Sequence, residues 1–189
     1  CEQDADCVAG FTCRTSGASG EQLCLRERFQ TTQPEEVWDL DTELGWRVEP
    51  TRVQVTTPFF ETCDVHGDGS RLPEIEELRT LVERCDSLSA TGTCNVTSEC
   101  PHGSLVGCFS PELCAPCVAE EPSDAECWWR TDVWGSECLR THWSRTQDPN
   151  TGTVWGLDFA TLTLTRPNQT ATGSPLPPVG GGQHWVRCV

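Results

Sequence analysis

The chain has no lysine, no tyrosine and no methionine in its 189 residues, and all 13 of its basic residues are arginine. Without methionine, it is expected to be a processed or trimmed product whose export signal has gone. No apolar run approaches the ~18 residues that a membrane-spanning helix needs, so no transmembrane segment is expected. Basic charge is scarce: 13 arginines stand against 29 acidic residues, a formal net charge of −16. Such a chain repels nucleic acid, anionic membranes and sulfated polysaccharides unless a local arginine patch or a bound cation intervenes. Neutral, cationic or metal-bridged partners suit it best.

Chemistry-bearing patterns are also sparse. Cys114-Ala-Pro-Cys117 is the one CxxC, and no second pair or flanking histidine pair completes a zinc set. No βαβ pattern surrounds it, so structural disulfides account for it better than redox chemistry. His66, His102, His142 and His184 are scattered with no Ser or Cys elbow nearby, so a hydrolase triad has no support. The expectation is a protein that is not an enzyme and needs no cofactor.

Cysteine, in contrast, is abundant. Fourteen residues, an even number, point to an oxidising compartment and up to seven bridges. A lipid-bearing Cys1 would leave thirteen and a free thiol, so parity favours Cys1 in a bridge and a secreted or surface-exposed chain.

Residues 1–28 carry Cys1, Cys7, Cys13 and Cys24 in a segment too short for an apolar core, so two bridges must staple it. Three connectivities are open; C-x5-C-x5-C modules often pair Cys1–Cys13 and Cys7–Cys24. FQTTQPEE, 29–36, is polar, contains proline and looks like a linker. From 37 to 189 the pattern is that of one larger domain. VWDL, LGWRV and RVQVTT are strand candidates, and Thr57-Pro58 is a helix start leading through Phe59, Phe60 and Cys63.

Asp64-Val65-His66-Gly67-Asp68-Gly69 opens like an EF-hand loop, but the loop position that should hold a bidentate glutamate is Ile75, and Pro73 sits within it. A capped helix fits better. Pro73 would sit in its first turn with Glu74, Glu76 and Glu77 at the positive end, while Ile75, Leu78, Leu81, Val82 and Cys85 share one face. Residues 86–140 hold seven more cysteines among Ser, Pro, Gly and Thr, an irregular excursion pinned by bridges. THWSR, TVWGLDFA, TLTLTR and QHWVRCV then return to strand character, with a turn at DPNTG and a Pro/Gly-rich loop over 172–183.

The order of these pieces resembles a known bacterial extracellular family. VWDLDTELGWRV, SRLPEIEELRTLV, HWSRTQDPNTGTVWGLDFATLTL and the terminal HWVRCV are similar to the C-terminal domain family of the Legionella collagen-like adhesin, over about 37–85 and 141–189. The resemblance implies an α+β, C-type-lectin-like domain related to the formylglycine-generating fold. Such a domain has two short helices, twisted antiparallel strands and here a long disulfide-pinned excursion, with the small Cys-rich module before it. It also implies a bridge between the first helix and the last strand, Cys63–Cys188. Eight cysteines would then pair among themselves over 85–138, Cys127–Cys138 by proximity. His142-Trp143 replaces the family's Tyr-Trp, and Ser70 replaces a tryptophan before Arg-Leu-Pro. The sulfated glycan implied by the founding adhesin wants a basic surface, which this composition lacks.

Candidate binding residues are Trp128, Trp129 and Trp134 in the excursion, with His142 and Arg145 on the following strand; exposed tryptophans stack on sugars or anchor interfaces. The other reading of the three tryptophans is a small core beneath the excursion. Asp148, Asn150 and Asp158 are weak calcium candidates, since DPNTG is also ordinary turn chemistry. Asn95-Val-Thr and Asn168-Gln-Thr are glycosylation sequons. The functional expectation is an extracellular recognition or adhesion protein that binds a glycan or protein on a cell or matrix surface through the excursion and adjacent loops. The alternatives are a self-assembling fibre subunit and an enzyme of the formylglycine-generating kind.

Overall fold

The computed structural model describes all residues except 1, 9–10, 16–21, 53–58, 68, 84, 103–107, 116, 118–126, 136–137, 139–140 and 166–184. The strand expected beyond Arg52, the helix start at Thr57-Pro58, the loop over 172–183, Cys1 and the sequon at Asn168 lie outside the described residues. The architecture is mixed α/β, with few helices, mainly antiparallel sheets and many disulfides. The chain divides into two compact units, Cys1–Gly45 and Trp46–Val189. Among the described residues, no helix is long and apolar enough to cross a membrane.

In the first unit, β1 (Phe11–Thr15) and β2 (Gln22–Arg26) form an antiparallel hairpin with Cys13 opposite Cys24. Cys7–Cys24 ties the hairpin to the residues before it. Cys13 is itself disulfide-bonded, while its expected partner Cys1 lies outside the described residues. The expected linker over 29–36 is instead β3 (Phe29–Gln33), a turn and the start of β4 (Glu36–Asp39), paired antiparallel. Phe29 and Val37 are buried there, and that anchors a segment whose composition otherwise reads as linker. β5 (Leu44–Arg47) is the third strand of this sheet and carries the chain into the second unit.

Asp39 holds this sheet's turn. Its fully buried carboxylate receives Arg28 Nε at 2.8 Å and the Asp41 amide at 3.0 Å. Burial pushes its pKa up, but the hydrogen bonds and charge of Arg28, helped by Thr42 and the Asp41 amide, bring it below the usual carboxylate value. A depressed folded pKa contributes stability above the unfolded value of about 3.9, and that contribution is lost as pH falls through the folded pKa. Hydrogen exchange of peptides spanning 28–40 should therefore accelerate below about pH 4 in the native chain. In Asp39→Asn it should be fast already at neutral pH, with a flatter acid response.

The second unit is built on a five-stranded sheet in the order β6–β10–β7–β8–β9. Its strands are β6 (Thr51–Arg52), β7 (Thr141–Gln147), β8 (Val154–Asp158), β9 (Thr163–Thr165) and β10 (Trp185–Val186). All pairs are antiparallel except β10 with β7, which is parallel and departs from the uniformly antiparallel expectation. β7 and β8 approach closely at Gly156, where a Cβ would lie 2.7 Å from both Thr141 and Trp143. The first expected helix is a 3-10 segment, Phe59–His66, and the second is α1 (Ile75–Thr80).

Helix α1 starts one residue after Glu74, so Pro73 precedes it rather than lying in its first turn. Glu77 accepts the Glu74 amide at 2.7 Å, and Thr146 from β7 accepts the Ile75 amide at 2.9 Å. These bonds satisfy amides that a helix start leaves open. The helix stops at Thr80, short of the expected Cys85, because the Leu81 and Val82 amides return to carbonyls three residues back and tighten the last turn. Leu81, Val82 and Cys85 remain buried all the same.

Beyond α1 the chain wraps around one guanidinium. Arg79 is fully buried and donates to the carbonyls of Leu88 (3.0 Å), Val96 (2.7 Å), Ser89 (2.7 Å) and Cys94 (2.7 Å). Burial pulls its pKa below the ordinary arginine value, with the charge of Glu76 acting the other way. The loop is so tight that a Cβ on Gly92 would lie 1.8 Å from the Asp86 carbonyl oxygen, a position only glycine can fill. Three bridges then nest around it, Cys85–Cys117 outside, Cys94–Cys114 within and Cys100–Cys108 innermost. Cys114 and Cys117 therefore take different partners, and the CxxC is structural. Cys127–Cys138 brackets a one-turn helix, α2 (Thr131–Trp134), and Cys63–Cys188 joins the 3-10 segment to the residues after β10.

Candidate functional site

A cleft of about 450 Å³ opens on the second unit, lined by Phe60, Asp64, Arg71, Leu72, Arg145 and Gln147. Leu72 of its lining also belongs to a buried cluster with Cys63, Trp143, Val154, Val186 and Cys188, which contains the Cys63–Cys188 bridge. Three pieces of backbone set the walls. The 3-10 segment turns Thr62 and Cys63 inward and leaves Phe60 and Asp64 outside. Arg71 exchanges both backbone hydrogen bonds with Val189, at 2.8 and 2.9 Å. The Arg145 amide donates to the Pro73 carbonyl at 2.8 Å, so β7 locks against the approach to α1.

The side chains on those walls differ in kind. Phe60 is 42% exposed, one of few large apolar side chains to be so among the described residues. Arg71 forms a two-pronged pair with Glu77 at 2.8 and 2.6 Å and also donates to the Leu72 carbonyl. The hydrogen bonds that Arg71 donates to Glu77 hold the guanidinium above its ordinary pKa, against the opposing effect of burial. Arg145 stands 3.2 Å from Glu74. Two guanidiniums are thus matched by carboxylates before any ligand arrives, while Asp64 adds a further acceptor and Gln147 an amide. The cleft thus brings an aromatic side chain together with donors and acceptors.

The other sequence candidates fall elsewhere. Trp128, Trp129 and Trp134 are 6%, 0% and 2% exposed, and His142 is fully buried, so the reading of these four as surface binding groups is corrected. Trp129 and Trp134 pack against Arg187. Its guanidinium lies 4.9 Å from the Trp129 ring and 5.1 Å from the Trp134 ring, and donates to the Arg47 and Trp134 carbonyls. Trp129 packs on His142 at 5.0 Å and Phe159 at 4.6 Å, and Trp46 meets Trp134 edge-on at 6.3 Å. A buried cation needs π faces and carbonyls to replace water, and the Cys127–Cys138 loop supplies both. Trp134 also lines a smaller hollow of about 340 Å³ with Trp185, Val48, Glu49, Pro50 and Gly135.

The calcium candidates do not form one site. Asp148 and Asp158 lie at opposite ends of the β7–β8 hairpin, since Thr141 pairs with Asp158 and Gln147 with Val154. Strand rise places such ends over 10 Å apart. Both carboxylates hold turns: Asp148 accepts the Asn150 amide at 2.9 Å, and Asp158 accepts those of Ala160 and Thr161 at 2.9 Å. The Asn150 side chain meets His102 at 3.1 Å. Of the sequence candidates, Arg145 alone lies at the larger cleft. In the sequence Phe60 belongs only to the helix expected from Thr57-Pro58 and Arg71 carries no site expectation; nothing in their local pattern shows that residues 60, 71 and 145 meet. No family model, no curated protein and no solved structure matches this chain.

Proposed function

We propose that this chain is an extracellular recognition or adhesion protein whose second unit has a C-type-lectin-like architecture and binds through the cleft at Phe60 and Arg145. The observation that carries the reading is the preformed cleft itself. Its walls are tied by the Arg71–Val189 backbone pair, the Arg145–Pro73 bond and the Cys63–Cys188 bridge. A site ordered in advance loses little entropy when a ligand arrives. The lectin-like reading is supported by the domain's two ends, where β6 pairs antiparallel with β10, and by a bridge in the place the family resemblance implies. An extracellular location is supported by the bridges, which persist in oxidising compartments. Among the described residues every cysteine is bridged, which leaves an enzyme of the formylglycine-generating kind no thiol there to use.

The test is retention of the non-reduced chain on an array of saccharides and matrix proteins, with its size measured in parallel by sedimentation velocity. A monomer retained on the array, and released when Arg145→Ala is used, is the expected result. Concentration-dependent polymers with no retention would replace this reading with the fibre subunit.

A further inference from the structure

We infer that the open edge of β3 in the first unit takes an extended basic segment of a partner protein, an arginine or lysine of that segment lying over Trp38 beside Glu36. This surface belongs to the first unit and the cleft to the second, so each is tested separately.

Backbone comes first. Among the described residues β3 has one neighbouring strand, β4, so its other side is a sheet edge. The Leu40 amide donates to the Arg28 carbonyl at 2.9 Å. Bonded and non-bonded pairs alternate along an antiparallel ladder. Gln30–Trp38 is therefore a bonded pair, and the Thr31 amide and carbonyl turn to the open side. Native sheets commonly blunt such edges with charge, proline or a covering loop, because a bare edge accepts an added strand. Phe29–Gln33, Phe-Gln-Thr-Thr-Gln, carries neither charge nor proline, and every residue after Phe29 is exposed.

Side chains set the chemistry of the partner. Gln30, Thr32, Glu36 and Trp38 share the outer face of the pair, opposite buried Val37 and Asp39. The Trp38 ring leans over Gly45, where a Cβ would meet the ring at 3.4 Å and the Glu36 carboxylate at 3.3 Å. Indole and carboxylate therefore stand side by side, and Trp38 is still 37% exposed. The Thr32 hydroxyl donates to Glu36 at 3.0 Å and fixes the carboxylate. A π face next to a carboxylate suits a guanidinium or an ammonium group. Glu35, Asp41 and Glu43 are exposed in the turns at the two ends of β4. The first unit holds ten acidic residues against three arginines, and one of these, Arg28, is already paired with Asp39. A second copy offering the same edge would bring like charge to like charge, so the complementary occupant is basic.

The experiment uses the full non-reduced chain and a short capped peptide of alternating valine and threonine with one central arginine. Two control peptides carry glutamate in place of the arginine, or methyl groups on alternate backbone nitrogens. Calorimetric titration reads affinity, and hydrogen exchange reads location. The arginine peptide should bind with a Kd below about 1 mM and slow exchange within 29–33. Each control should bind at least about tenfold more weakly, the first for want of the cation and the second for want of the ladder. Trp38→Ala should weaken binding about fivefold and Glu36→Gln about threefold, with Trp38→Phe recovering most of the loss. Near-ultraviolet circular dichroism checks that each variant is folded. The control peptides need no variant, so they decide the case if Trp38→Ala does not fold. Failure of the arginine peptide to bind, or binding that leaves exchange within 29–33 unchanged, would overturn the inference. Equal binding of the glutamate peptide would overturn it too. Protection of 29–33 that grows with protein concentration, without peptide, would give the edge to a second copy instead. None of these outcomes bears on array retention or its dependence on Arg145, which test the cleft.

Discussion

Arg79→Met is expected to cost about 3–5 kcal/mol of stability, the size reserved for breaking a buried polar network. The native guanidinium satisfies four backbone carbonyls, those of Leu88, Ser89, Cys94 and Val96, from a side chain with no exposed surface. Methionine fills much of the volume but donates nothing, and a buried acceptor left open costs roughly 1–3 kcal/mol. The loop can relax to rehydrate some of the four, so the sum falls short of four full penalties. Lysine is the informative control, because its ammonium cannot spread planar donors over four acceptors, and it should recover less than half of the loss. Denaturant midpoints of the oxidised protein read the stability. Peptide mapping after refolding reads the second consequence: mispaired Cys94, Cys114, Cys85 and Cys117 should accumulate in both variants. An Arg79→Met midpoint within 1 kcal/mol of the native one, with native pairing, would show that the bridges alone shape this loop.

The second large effect is expected at the domain's ends. The Cys63–Cys188 bridge spans 125 residues, and loop-closure entropy for a loop of that order amounts to about 4–5 kcal/mol. The internal bridges shorten the effective loop, so Cys63→Ser with Cys188→Ser should lower stability by about 4 kcal/mol. Removing Cys100–Cys108, with a separation of only 8, should cost about 2.5 kcal/mol by the same relation. Both are read by denaturation without reductant. Hydrogen exchange adds the location: amides of β6 and β10 should lose protection in the first variant and keep it in the second. Equal losses in the two variants would mean that β6–β10 pairing, not the bridge, holds the ends together.

Part of this organisation was legible in the residues. Ile75, Leu78 and the acidic start of α1 announce a capped amphipathic helix because spacing and end charge are local properties. The strand character of THWSR and TVWGLDFA is local, and the turn at DPNTG lies between them as β7 and β8 require. The polar segment 29–36 misled because its composition resembles a linker, whereas burial of Phe29 and Val37 makes it a strand pair. Trp128, Trp129 and Trp134 misled for the opposite reason. Their segment shows no periodicity, so nothing local says which way the rings face. Arg187 carries the clue that the local pattern leaves unread: an arginine between Val186 and Cys188 must find π faces and carbonyls once it is buried.

What the sequence determined alone is the class of object. Fourteen cysteines carry the expectation of an oxidising compartment and a charge of −16 that of the partners repelled, because both depend on composition and not on arrangement. The tertiary structure decided which cysteines of the excursion pair, which rings are core and where a cleft opens. Bridges 85–117, 94–114 and 100–108 nest, and Arg79 reaches carbonyls up to 17 residues away, a long-range arrangement that no local pattern encodes. The cleft likewise exists only once residues 60, 71 and 145, distant in the chain, are brought onto one wall by backbone pairs and a single long-range bridge.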